Sequence, residues 1–544
     1  MSRNTDSHFG NIPSKNIRRS AFKMPFTHST TTDTGRIIPI YAQEYLPGDT
    51  AKVKLSILVR MQTPIAPVMD NAWIDTYFFS VPRRLVWEHW KEFMGENTTD
   101  AWTEDTEYQI PQLVIPEGGF SKGTIGEKLY GVQGRGAGTK VDACYTRAYT
   151  IIFNEWFRNQ NLTEPAELSR GDADTLGSNG DSYVTDLQKG GMCAKAVKYA
   201  DYFTRALPEP QKGPDIYLPL GVKAPVFTTS EEVPLTTGID EKASLLMKTT
   251  NEGYARNGAL TLQSGYVNSS DSVLAGTGGL TPTNLWTDLE QASAATINQL
   301  RQAFAVQRLY EIDARGGTRY TEILRAHFGV ISPDARQQRP EYLGGKRIPI
   351  NISQVIQQSS TDSTSPQGTT AAYSLTIDTD DMFTKSFDEH GILLGVAVIR
   401  TEHTYQQGLA RQFSRKNRTD FYWPELSNIG EMYIKNKELF LQGTDEDEEA
   451  FGYQEAWAEY RYSNNKVTGE LNSDYAQSLD LWTYADDYET LPTLSDAWIR
   501  ETKENVERTL AIQNQDQWLI NMYFDQTWVR PMPIYSVPSL TGWN

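Results

Sequence analysis

Residues 36–95 read RIIPIYAQEYLPGDTAKVKLSILVRMQTPIAPVMDNAWIDTYFFSVPRRLVWEHWKEFMG. Ile37 to Tyr45 form a first apolar run, and Pro47-Gly48-Asp49 supplies a turn. Ala51, Val53, Leu55, Ile57, Val59 and Met61 then alternate with Lys52, Lys54, Ser56 and Arg60. That period of two is the mark of a half-buried antiparallel strand. Pro64 and Pro67 end it. A third strand, Trp73 to Val81, sets Trp73, Asp75, Tyr77, Phe79 and Val81 on one face and Ile74 and Phe78 on the other. Apolar groups on both faces need cover on both sides, from a helix or from another subunit. Pro82 opens a short predicted helix with Leu85, Val86, His89, Trp90 and Phe93 on one side, and Gly95 stops it. His89 reads as a packed helix histidine. The stretch predicts a mainly β protein, a sandwich on which much of the remaining chain hangs as loops.

Outward from it, residues 1–35 lack hydrophobic periodicity and read as an extended arm. Arg3, Lys15, Arg18, Arg19 and Lys23 face only Asp6 in the first 23 residues. Such an arm either touches phosphates or clamps a neighbouring subunit. Residues 96–345 are turn-rich, with one predicted helix from Thr146 to Arg158. Within them, 225–283 are poor in charge and rich in Thr, Ser and Gly, a composition of exposed loops. Thr287-Asp288-Leu289-Glu290 reads as a capping box opening a long helix. Its predicted buried face runs through Leu289, Ala292, Ile297, Leu300, Phe304 and Ile312, and Gly316-Gly317 ends it. A second helix follows, from Arg319 to Phe328, so helices occupy 287–328. Beyond Gly344-Gly345, strand signals return at 348–355, 373–377, 392–400, 432–434, 457–462 and 518–529.

The length of 544 residues exceeds what one simple core fills. Hydrophobic residues make up 39%, yet there are 28 Tyr, 20 Phe and 13 Trp. Aromatics in that proportion suit broad partner surfaces, or loops pinned by rings. The two cysteines, Cys144 and Cys193, have no disulfide or metal spacing, which suits folding in a reducing compartment. No apolar run approaches a membrane span, so no membrane insertion is expected, and the N-terminus is not a secretory signal. The net charge of −18 is uneven: Thr419 to Asp516 hold 22 Asp and Glu against 7 Lys and Arg. Overall acidity argues against a general nucleic-acid coat, while local basic patches still allow one face to meet polyanion.

Catalytic motifs are missing. The glycines from Gly131 to Gly138 have neither P-loop nor dinucleotide spacing. The acidic run Asp445 to Glu449 lacks the glycine and glutamate of an EF-hand loop and reads as a solvated loop. His390 and His403 have no third ligand nearby, so no metal or other cofactor is expected. The stretch GLARQFSRKNRTDFYWP (408–424) interleaves Arg411, Arg415, Lys416 and Arg418 with Phe413, Phe421, Tyr422 and Trp423. It suits either a subunit interface with aromatic anchors or a single-strand nucleic-acid contact.

Three longer blocks carry a resemblance. They are VPRRLVWEHWKEFMGEN (81–97), QAFAVQRLYEIDARGGTRYTEIL (302–324) and RTEHTYQQGLARQFSRKNRTDFYWPELSNIGE (400–431). Each resembles a signature block of the major capsid proteins of the Microviridae, small icosahedral single-stranded-DNA bacteriophages, and most of all the gokushovirus branch. The resemblance implies an eight-stranded antiparallel jelly-roll β-sandwich with long loop and helix insertions. Residues 36–95 and 346–544 would supply its strands and interface loops, and 1–35 an arm facing the capsid interior. It implies a non-enzymatic protein that assembles in the host cytoplasm into a T=1 icosahedral shell around circular single-stranded DNA. Implied partners are further copies of the chain, the DNA, a small basic DNA-packaging protein, a scaffolding protein and a host cell-surface receptor. In that branch an insertion forms a protrusion at the three-fold axes. Residues 225–285 fit it, with Thr237, Gly253, Tyr254, Tyr266 and Gly276 as attachment candidates. The competing reading is a phage-associated carbohydrate-active enzyme on a β-sandwich, which requires two carboxylates roughly 5–9.5 Å apart in a cleft.

Overall fold

Thr50–Met61 sits at the middle of a sheet with one face inward and one outward, as its alternation predicts. Ala51, Val53, Leu55, Ile57, Val59 and Met61 are buried and Lys52, Lys54 and Arg60 are exposed. The computed structural model describes residues 18–96, 107–214, 216, 226–228, 245–249, 258–263, 266–269, 280–282, 285–287, 297–358, 361, 367–368 and 370–535.

Nine strands build the sandwich. They are β1 (Ser20–Lys23), β2 (Phe26–Thr32), β3 (Ile38–Tyr45), β4 (Thr50–Met61), β5 (Ala72–Pro82), β6 (Glu341–Pro349), β7 (Thr376–Ser386), β8 (Gly391–Thr401) and β9 (Trp518–Arg530). One sheet has the order β2, β9, β4, β7, with β1 continuing the edge beside β9; the other has the order β6, β5, β8, β3. All these pairings are antiparallel. With β1 and β2 taken as one edge strand broken at Met24 and Pro25, the chain visits eight positions. It changes sheet at every step except β5 to β6. That is the double-sheet order of a jelly roll. The first and last strands of the sandwich are hydrogen-bonded neighbours, so strands at both ends of the sequence close one sheet.

The two inner faces interlock through rings. Tyr41 stands 5.1 Å from Phe524 and 5.9 Å from Phe78, and Phe78 stands 5.6 Å from Phe383. The outer face of the β5–β8 sheet is also apolar: Ile392, Leu394, Val396 and Val398 are all buried. Its cover comes from the same chain. Helix α1 (Cys144–Ile152) continues into a wider π turn, Phe153–Phe157. The Trp156 ring lies 5.5 Å from Phe79, the Phe157 ring lies 5.3 Å from Tyr77, and Tyr149 Oη donates to Ile37 O at 2.6 Å. Each side chain sealed in this way contributes roughly 1.5–3 kcal/mol. The two-faced strand is therefore explained by an insertion rather than by a neighbouring subunit.

Four expectations change. Residues 82–95 are not one helix: a 3-10 turn (Arg83–Leu85) and a short helix (Trp90–Phe93) flank Trp87, which is fully buried, whereas Phe93 is exposed. Thr287 opens no helix. It pairs with Val226 in a strand, the helix α2 spans Ile297–Gly316, and Phe304 on it is exposed; Leu289 and Ala292 lie outside the described residues. Residues 457–462 are not a strand, because Trp457 takes a left-handed φ of 65° and a 3-10 turn follows. Gly344-Gly345 is no boundary either. Both lie inside β6, where a Cβ on Gly345 would sit 2.0 Å from Thr76 O, so the strands approach too closely for any side chain. The second predicted helix appears as α3 (Tyr320–Phe328), with Gly329 at φ 66° closing it.

The chain divides into two compact units, residues 1–210 with 316–544, and residues 211–315. The second contains a four-stranded antiparallel sheet, formed by Leu245–Thr249, Gly258–Gln263, Tyr266–Ser269 and Leu280–Pro282. It also contains the pair Val226–Thr228 with Leu285–Thr287. The Thr- and Gly-rich composition that suggested loops thus forms short strands, since β-branched Thr is at home in a ladder.

Candidate functional site

Segments between β8 and β9, joined by Tyr202 and Phe203 from the insertion between β5 and β6, build a second core with Tyr405, Ile434, Leu439, Phe451, Trp498 and Ile499. Residues 408–424 ride on it as three 3-10 turns, Arg411–Phe413, Arg418–Asp420 and Pro424–Leu426. Pro424 starts the third because its fixed φ suits a first helical position. Two of their four cations, Arg411 and Arg415, are spent in ion pairs inside the protein. Arg411 grips Glu438 at 2.8 Å and donates to Tyr433 O. Arg415 pairs with Glu459 at 3.1 Å and lies 4.5 Å from the Tyr460 ring and 5.2 Å from Phe421. Arg418 stacks 4.5 Å over Trp423, whose Nε1 donates back to Arg418 O at 3.0 Å. Lys416 is exposed, and its backbone N–H donates to Asp420 at 2.8 Å. Backbone donors from Asn417 and Lys416 hold the Asp420 carboxyl below its usual range.

The rings, by contrast, stay open to solvent. Phe413 is 68% exposed, Phe421 50%, Tyr422 47% and Trp423 36%. Tyr433 and Tyr460 extend the patch. Paired guanidiniums beneath exposed aromatic rings make a surface suited to protein, where Arg, Tyr and Trp anchors dominate binding energy. Free cations for phosphate are what a nucleic-acid groove needs, and here Arg411 and Arg415 are already engaged.

At the start of the described chain, Arg18 and Arg19 are exposed, and Lys23 lies 3.7 Å from Asp525 with its side chain 68% exposed. Arg3 and Lys15 lie outside the described residues, as do Thr237, Gly253, Tyr254 and Gly276. Tyr266 begins a strand and pairs with Gln263. The described part of the predicted arm is thus largely strand: β1 and β2 zip along β9.

Three ionic nodes tie loops to the sandwich. Asp75, buried on β5, accepts from Arg347 at 2.8 Å, from Tyr199 at 2.8 Å and from Arg400. Burial alone would raise its carboxyl, but the two guanidiniums hold it below the usual range. The Tyr199 ring is flanked by Arg347 at 4.3 Å and Arg400 at 4.2 Å. Arg83 joins Glu44 at 2.9 Å and Asp142 at 2.8 Å. His403, fully sealed, faces Asp486 at 3.0 Å through Nδ1 and Glu501 at 3.3 Å through Nε2. Burial works against its charge, but the two carboxylates outweigh it and push its pKa up to about 10. Lys198 approaches Asp486 at 3.6 Å and lies 4.7 Å from the Trp498 ring. His390 stands elsewhere, edge-on to Trp90 at 5.6 Å. In the acidic run, Glu448 pairs with Lys435 at 2.6 Å and with Lys437, which hold its carboxyl down at about 2. Asp447 accepts the N–H groups of Gln442 and Gly443. Among the described residues, no group of three or more His, Cys, Asp or Glu is arranged to hold a metal. His89 pairs with Asp172 at 2.8 Å, and Cys144 and Cys193 are buried thiols, each pushed up to about 12 chiefly by burial. No sequence spacing marks the Asp75 and His403 nodes, because their members come from segments far apart in the chain.

A capsid protein (F protein) family model matches residues 10–540. The chain is 40% identical to "Capsid protein VP1" of Spiroplasma virus 4 over 542 residues, 98% of this chain and 97% of that one. It is 40% identical to the same-named protein of Bdellovibrio phage phiMH2K over 548 residues, 99% of each chain. Against that of Chlamydia phage 1 it is 36% identical over 586 residues, 98% of each. The chain belongs to the phage F-type capsid protein family.

For a capsid protein the features above take a common meaning. It is a structural subunit of the virion and not an enzyme, as its relatives are coat proteins. Its buried ions are internal fasteners. Among the described residues no helix is long and apolar enough to cross a membrane.

Proposed function

We propose that the chain is the coat subunit of a T=1 icosahedral shell enclosing circular single-stranded DNA, joined to its neighbours through the aromatic surface of residues 411–423. The observation that supports this most is the contrast within that surface: its rings are exposed while Arg411 and Arg415 are already paired. The basic arm, Arg3 to Lys23, faces the interior and shares the DNA with a small basic packaging protein. A scaffolding protein assists assembly in the host cytoplasm. Residues 225–285 form the protrusion at the three-fold axis and meet a host cell-surface receptor.

Full-length chain, expressed with its assembly partners, should yield icosahedral particles in electron microscopy that hold nuclease-resistant single-stranded DNA. A product that stays monomeric under every assembly condition sinks the reading. The arm is tested separately. Changing Arg18, Arg19 and Lys23 to Gln should lower the DNA content of assembled particles more than the particle yield. If yield collapses while DNA per particle is unchanged, the arm is a subunit clamp.

A further inference from the structure

The two sheets differ in what lies on their outer faces. The β5–β8 face is roofed by α1 and the π turn. Among the described residues no helix roofs the face of β4 and β9: Lys52, Lys54 and Arg60 stand exposed on β4, and Leu519, Asn521 and Tyr523 on β9. In register, Lys54 lies opposite Asp525 and Asp381, Lys52 opposite Thr527, and Tyr523 between Ser56 and Thr27.

Two properties of this face suit a nucleic acid. First, its charge departs from the rest of the chain. Among the described residues, Lys23, Lys52, Lys54 and Arg60 stand with Asp380, Asp381 and Asp525, a local excess of positive charge on a protein of net charge −18. The ion pairs formed, Lys52–Asp381 and Lys23–Asp525, are both solvent-exposed at 3.7 Å, a class that yields readily to a phosphate. Second, Tyr523 is 42% exposed within a band of hydroxyls and amides, where Asn521 donates to Ser29 at 2.6 Å and Thr379 to Ser56 at 2.9 Å. A ring on which a base can stack, beside cations and sequence-neutral hydrogen-bonding groups, is the composition of a single-strand platform. Lys and Ser are the residues protein interfaces avoid at their centres, which separates this face from the aromatic loops. The basic arm also departs from this same sheet, since β1 and β2 form its edge.

We infer that the outer face of β4 and β9 is a wall that binds single-stranded nucleic acid without sequence preference, through Lys52, Lys54, Arg60 and Tyr523. The inference rests on the reading of the chain as a DNA-enclosing coat and names the surface that does the contacting. It orients the subunit, with the β4–β9 sheet toward the lumen and the roofed sheet outward.

The test uses unassembled full-length chain and a labelled single-stranded oligothymidylate, with assembled particles in parallel. K52Q/K54Q/R60Q should weaken oligothymidylate binding and flatten its dependence on log salt concentration by about two, at roughly 0.7 for each phosphate no longer neutralised. Tyr523→Ala should weaken binding about tenfold and Tyr523→Phe should restore it, because stacking needs the ring alone. K91Q/K140Q, on the insertions, should leave binding unchanged. Variant particles should form with reduced DNA. Unchanged affinity and unchanged DNA content in the triple variant would overturn the assignment while leaving the coat reading intact. Unchanged affinity with lost assembly would overturn it too, marking the face as a subunit contact. Unaltered particles that never hold DNA would instead remove the reading on which it rests.

Discussion

His403 is held as an imidazolium between Asp486 and Glu501, residues 83 and 98 positions away in the chain. Tyr488 and Asn505 also donate to Asp486. Removing the cation leaves buried Glu501 without its counter-charge and Asp486 with Lys198 as its remaining cation, so His403→Gln should lower the unfolding free energy of the unassembled subunit by roughly 3–5 kcal/mol near neutral pH. The sign of the pH dependence follows from a raised pKa. The contribution is complete below the unfolded value near 6.5 and fades as pH rises through about 10. Denaturation of native and variant subunits across that window should therefore show their difference shrinking toward high pH. A difference that stays constant would mean that His403 is packed neutral. From sequence alone His403 was an isolated histidine near an acidic region; which of 69 carboxylates would face it was set by folding.

At the scale of elements, the loops of residues 408–424 separate two kinds of side chain. Phe413 touches little of its own subunit, so Phe413→Ser should change subunit stability by no more than about 0.5 kcal/mol yet reduce particle yield. Arg415→Ala removes the partner of Glu459 and the cation over Tyr460, and should lower both stability and yield. Thermal melts of subunits and sedimentation of assembly reactions distinguish them; Phe413→Ser particles formed at full yield would exclude this patch from the interface. The stretch was visible in the sequence as cations interleaved with rings, but not the pairing that neutralises Arg411 and Arg415. The strand β2 was invisible for a different reason. FTHSTTT has no apolar alternation, and its place at the sheet edge comes from backbone pairing with β9. The supposed strand at Trp457 failed because that residue's positive φ breaks the extended chain.

For the whole molecule, the separation of residues 211–315 as a compact unit leads to a deletion experiment. Val226–Thr228 pairs with Leu285–Thr287, so the chain leaves and returns at neighbouring points. Replacing residues 230–280 by a short Gly-Ser linker should leave the sandwich folded and the particles intact, because loop closure costs little over a short span. Host-cell adsorption should fall sharply. Insoluble protein would show that the unit contributes to the main core, and unimpaired adsorption would place receptor binding elsewhere.

What the sequence determined by itself is local and periodic. Alternation over 50–61 and 518–530 sets strands and their inner faces, because a period of two is a property of the extended backbone, while the unbroken apolar run of 391–401 marks a strand covered on both faces. The long family-like blocks identified the coat protein that full-length comparison with its relatives established. Only the tertiary structure decided what those strands meet. It closed the first strand onto the last, laid α1 over the second sheet, left Lys54 and Tyr523 exposed, and gathered His403, Asp486 and Glu501 into one node. Each depends on contacts between segments far apart in the chain, and no local pattern of residues records which distant segment will arrive.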